Sequence, residues 1–166
     1  MADEPLRLRI LKAITTCLQE ITPDNGYVYD LSESVFRGRT IFGDGDPLPM
    51  VSILEPPIDL DQLRVPDGGD TISGPWNLLI QGFVEDDKDN PTDDAHLLLA
   101  DVKKRLGLEM RKSRDFDLLG LGKHVTRLQL SPGVVRPPDN EVSSNAYFVL
   151  SVTLNVVECL ANPYED

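Results

Sequence analysis

The run AYFVLSVTLNVVE, Ala146 to Glu158, places Ala146, Phe148, Leu150, Val152, Leu154 and Val156 at every second position without a break. A period of two puts all six on one side of a strand, and that side must be covered by an apolar layer. A second run, PWNLLIQGFVE, alternates Trp76, Leu78, Ile80, Gly82 and Val84 with Asn77, Leu79, Gln81 and Phe83. It is apolar on much of both sides, which predicts a strand near the centre of a sheet.

Two helical patterns supply the covering layer. From Glu4 to Ile21, Leu6, Ile10, Leu11, Ile14, Cys17, Leu18 and Ile21 recur at steps of three and four, with Asp3 as N-cap, Pro5 in the first turn, and Pro23 and Gly26 as the stop. After the acidic turn EDDKDNPTDD, the spacing predicts a helix with Ala95, Leu98, Leu99, Val102 and Leu106 on one side. Its acids precede it and Lys103, Lys104 and Arg105 stand near its end, the arrangement that suits a helix dipole.

Shorter strands are expected at SVFRGR, PMVSILE and HVTRLQL, giving the order α, β, β, β, α, β, β. The first two pair as neighbours, joined by Thr40 to Pro47, which is too long for a tight hairpin. Loops are expected at 57–74 and 131–145, both rich in Pro, Gly and Asp. The fold class that follows is α+β: a single domain over 1–166 with a mixed, mainly antiparallel sheet of about five strands and two amphipathic helices on one face. The other sheet face is then partly bare, to be covered by loops or by another subunit.

A chain of 166 residues is long enough for one core, and its net charge of −12 argues against tight binding to nucleic acid or an anionic membrane. No apolar run approaches the ~20 residues of a membrane span, and the acidic start broken by Arg and Lys is unlike a secretory signal, so a cytoplasmic chain is expected. Cys17 and Cys159 have no Cys or His at metal-ligand spacing and read as small apolar residues in a reducing compartment.

Several features invite a chemical reading. GDGDP and PDGGD resemble phosphate cradles, but neither opens a helix nor carries the Lys and Ser or Thr of a P-loop; turns explain them. The acids Glu85, Asp86, Asp87, Asp89, Asp93 and Asp94 have the chemistry of a hard-cation site without the alternating spacing of an EF-hand, and a solvated helix start is the plainer reading. A weak magnesium site at a subunit contact stays open. His96 and His124 lie in no nucleophile motif, so catalysis is not expected, and no cofactor is implied. Arg37 and Arg39, two apart, share a face if the strand runs through both, a pair suited to carboxylates on a neighbour or to the local acids Asp44 and Asp46.

Taken together, the N-terminal helix, NGYVYDLSESVFRGRTIFGDGDPLPMVSILEPP, WNLLIQGFVEDDKDNPTDDAHLLLADVKKRL, the Pro-Gly loop and the long last strand resemble the tail terminator, or tail completion, proteins of long-tailed bacteriophages. The likeness spans nearly the whole chain and rests on element order and turn-rich phrases. It implies a non-enzymatic virion subunit that forms a ring, six-fold in that family, on the head-proximal end of the tail tube. The ring stops tube polymerisation and joins the tail to the head connector or stopper protein. The expected contact residues are Arg37, Arg39, Phe42, Asp44 and Asp46 on one side and Asp86, Asp87 and Asp93 on the other, with Arg136 in the second loop. Gln62 to Ser73 and Val134 to Ser144 are the arms expected to reach tube or connector, and DNA is expected to slide through an acidic lumen without specific binding. The alternatives are a neck adaptor on the portal side, or a small metal-assisted hydrolase built on the acidic cluster, which would lose activity on replacement of Asp93 or Asp94.

Overall fold

The computed structural model describes residues 3–57, 63–65 and 68–165. Its elements run α1 (Leu6–Gln19), β1 (Val35–Arg37), β2 (Met50–Leu54), β3 (Thr71–Val84), α2 (Asp93–Arg111), β4 (Val125–Leu130), β5 (Val134–Arg136) and β6 (Ala146–Cys159). The strands form one sheet in the order β1-β2-β3-β6-β4, with β5 also on β6. β3 takes one edge of β6 over its whole length, so β4 and β5 share the other, pairing with different stretches of it. All pairings are antiparallel except β1 with β2, which is parallel. This parallel pair explains the long connection after β1, since a parallel neighbour cannot be reached by a hairpin.

Both helices pack on the same sheet face, and the expected stripes are the ones buried there. Leu6, Ile10, Ile14, Cys17, Leu18 and Ile21 from the α1 segment meet Ala95, Leu98, Leu99, Val102 and Leu106 of α2 and the alternating residues of β3 and β6. A close fit lies at Gly82, directly across from Phe148. A Cβ added at Gly82 would stand 2.1 Å from the Phe148 ring, so the strand carries glycine there because the ring occupies that space.

The structure corrects several expected boundaries. The position before α1 is Pro5, not Asp3, and no side chain caps it; Pro5 contributes its carbonyl to the Arg9 N–H at 3.1 Å. β3 begins at Thr71, so part of the expected 57–74 loop is strand, extended by register with the end of β6. The 131–145 loop contains β5. α2 continues to Arg111, which places Lys103, Lys104 and Arg105 within the helix body. There Arg105 is buried, paired with Glu20 at 2.7 Å and Glu109 at 3.4 Å, while Glu109 also accepts from the Leu119 N–H at 2.8 Å. The hub ties α1, α2 and the turn after α2 together. Cys17 beside it is buried and its thiol is pushed up to about 12, chiefly by loss of solvent; Cys159 is half-buried, and both are free.

Candidate docking site on the open sheet face

The face away from the helices is floored by the alternate residues of the same strands. Met50, Phe83 and Tyr147 are buried there as a small cluster, with Phe36, Phe42 and Val149 packed against it. A cluster of this size cannot hold itself, and two loops close over its margins.

The first loop leaves β1 at Gly38, whose φ of 66° lies in the left-handed region that glycine tolerates best. The Gly38 N–H still donates to the Ile53 carbonyl at 2.8 Å, after which the chain folds across the open face. Ser52 Oγ donates to the Arg39 carbonyl at 2.7 Å. The Arg39 guanidinium pairs with Asp46 and lies 4.8 Å from the Phe36 ring and 5.1 Å from the Phe42 ring. Phe42 in turn sits 5.0 Å from Phe83, ring to ring. The Gly43 N–H donates to Asp46 at 2.6 Å, and this bond first, then Arg39, holds the Asp46 carboxyl below the usual carboxylate range.

The second loop follows β5. Asp139 accepts from the Val142 N–H at 2.6 Å, the Glu141 N–H at 3.0 Å and the Tyr147 hydroxyl at 3.0 Å. These bonds, led by that from Val142, hold its carboxyl below its ordinary value. The Tyr147 hydroxyl is pushed up, by burial first and by Asp139 second. Between the two loops lies a cleft of about 700 Å³. Met50, Leu54 and Phe83 form its floor and Ile41, Asp44, Glu141 and Val142 its rim. Ile41 is 82% exposed and Val142 is 55% exposed at the mouth. Such a site offers apolar anchors with an acidic border, the chemistry of a groove for a protein segment. Among the described residues, no three of His, Cys, Asp and Glu stand where they could hold a metal ion.

Of the residues expected at a contact, Arg39, Phe42, Asp44 and Asp46 come together at this cleft. Arg37 does not join them. β1 ends at Arg37, the Gly38 turn separates the two arginines, and Arg37 Nη1 donates to Thr15 Oγ1 of α1 at 2.9 Å on the opposite side of the sheet. Arg136 lies on β5, in register with Tyr147, exposed beside the second wall. Asp86 and Asp87 belong to a separate, shallower cleft of about 360 Å³ with Tyr29, Leu48, Pro49 and Asp94, and Asp93 opens α2. Of the two expected arms, Gln62, Pro66 and Asp67 lie outside the described residues. Val134 to Ser144 begins as β5, and Asp139 within it accepts from the Tyr147 hydroxyl.

Met50 and Tyr147 were missed by sequence reasoning, and Glu141 and Val142 entered it only as part of the arm from Val134 to Ser144. The alternation of β6 does mark Tyr147 as facing away from the helices, and DNEV has the Asp that favours a tight turn. Neither signal says that the turn returns to the tyrosine. Compared with models of protein families and with curated proteins, the chain matches none.

Proposed function

We propose that this chain is a structural virion subunit of the tail-terminator kind, a ring component on the head-proximal end of a long-tailed phage's tail tube. In this role it ends tube polymerisation, receives the head connector or stopper protein, and lets DNA pass through its lumen without gripping it. The observation that carries the reading is the cleft on the open sheet face. Its walls are fixed by Asp46 and Asp139, while Ile41 and Val142 are left unsatisfied at its mouth. A preformed groove with exposed apolar anchors suits docking of a protein segment with little reordering. The sequence resemblance says which segment class to expect, that of a tube or connector subunit. Among the described residues no helix is long and apolar enough to cross a membrane.

Electron microscopy of particles assembled with the coding sequence intact or deleted tests the proposal. Overlong tails without heads in the deletion are the expected result. Tails of normal length beside unattached heads would move the chain to the neck, as an adaptor, and normal particles would overturn both.

A further inference from the structure

α2 carries opposite charge at its two ends, and each end keeps charged groups that have no partner among the described residues. Around its start stand Glu85, Asp86, Asp87, Asp89, Asp93 and Asp94 against a single Lys88. Asp94 is used internally, accepting from the Tyr29 hydroxyl at 3.0 Å, and Asp87 accepts from the Asp89 and Asn90 N–H groups. The carboxylates of Glu85, Asp89 and Asp93 are exposed and have no partner among the described residues. One helical turn beyond Asp93, Leu97 is 45% exposed.

The other end is basic in an otherwise acidic chain: six of the sixteen basic residues fall between Lys103 and Arg114. Four of them have internal partners. Lys103 donates to the Pro132 carbonyl, Lys104 to the Gly26 carbonyl, Arg105 pairs with Glu20 and Glu109, and Lys112 pairs with Glu109. The guanidinium groups of Arg111 and Arg114 are exposed and unpaired among the described residues. Beside them Phe116, flanked by Asp115 and Asp117, is 76% exposed, and its φ of 55° is a conformation that side-chain-bearing residues seldom take. Leu108, one turn before Arg111, is also exposed. Arginine and an aromatic ring side by side are the residues most enriched at protein interfaces.

We infer that the two ends of α2 bind each other between copies of this chain. Arg111 and Arg114 of one subunit meet Asp89 and Asp93 of the next, and Phe116 packs on Leu97. The arginines expected from sequence to serve here are already committed, Arg37 to Thr15 and Arg39 to Asp46. The two patches lie at opposite ends of a 19-residue helix, about 28 Å long, so each subunit offers a different surface to each neighbour. Contacts of that kind propagate, and they close into a ring when the rotation per subunit allows. Closure rests on the reading given under Proposed function; the contact does not.

The test uses the full chain, in sedimentation equilibrium and native mass spectrometry at low and high salt. The wild type should self-associate, less so at high salt. R111E/R114E and D89K/D93K should each fold as the wild type does, judged by circular dichroism and Tm, yet self-associate roughly tenfold or more weakly. Mixing the two variants should restore association, because one is then acidic at both ends and the other basic at both. A monomeric wild type, variants that associate like it, or a mixture that stays apart would each overturn the inference. Closed rings that survive both charge reversals would sink the contact while leaving the ring reading intact. Association that follows the charges but builds only open chains would sink the ring and keep the contact.

Discussion

On the helix-covered side of the sheet, every second residue of β6 from Ala146 to Val156 is apolar and buried. On the other side the same strands present Asn77, Gln81, Ser151, Thr153 and Asn155 among fewer apolar groups, with Thr153 Oγ1 and Asn77 Oδ1 2.8 Å apart. The first face is held by area removed from water and needs no particular orientation of its neighbours. The second is held by directed bonds to Asp46 and Asp139 around one small apolar cluster. The lesson is that a sheet can spend one face on stability and leave the other for recognition, with loops fixing the shape of the recognising side.

The largest effect should separate the two faces directly. Phe148→Ala empties a large, fully buried site of the covered face and should cost about 3–5 kcal/mol in urea unfolding. Phe83→Ala removes the same ring from the small open-face cluster, whose loops can settle into the gap, and should cost about 2 kcal/mol. Equal losses would break the comparison. Next, Arg105→Met should cost about 2 kcal/mol, because buried Glu109 loses one of its two cationic partners and keeps Lys112 and the Leu119 N–H, and adding Glu109→Gln should recover part of it. No recovery would mean that packing, not charge, gives Arg105 its importance.

A smaller effect should come from Tyr147→Phe, which removes the hydroxyl that ties the open face to Asp139; Tm should fall by roughly 2–4 °C, the change expected from one net hydrogen bond in a chain of this size. The difference should also depend on pH with a definite sign. Asp139 is depressed from an ordinary value of 3.8, so its contribution is present above that value and is lost as pH falls through its lower folded pKa. Wild type and variant should therefore converge in acid, and amide exchange in 139–145 should rise there before it rises in β6. Smallest of all, Ile41→Ser should change stability by about 0.5 kcal/mol or less, since the side chain already faces water. On the proposed function the same change should lower head-to-tail joining in particles, and full joining would remove Ile41 from the proposed docking surface.

Much of the covered face was legible in the sequence. Periods of two and of three to four marked β3, β6, α1 and α2, because burial on one side forces a repeat that any alignment of the elements must respect. The open face was legible only as an expectation of incomplete cover. Its cleft depends on loops some hundred residues apart, 38–49 and 137–145, whose turns carry no periodicity. The Arg37 and Arg39 pair shows the limit most clearly. Their spacing puts both on one face of a continuous strand, and one residue between them decides otherwise.

By itself, then, the sequence determined α1, α2 and the strands other than β5, which stripe of each is buried, and that one sheet face lacks helical cover; these are local periodicities, and hydrophobic burial reads them without reference to distant partners. Only the tertiary structure decided that β1 runs parallel to β2, that Arg39 is drawn onto Phe36 and Phe42 while Arg37 goes to α1, and that Asp139 turns back to Tyr147. Those outcomes follow from directional bonds and backbone turns between parts of the chain that meet only after the core has formed.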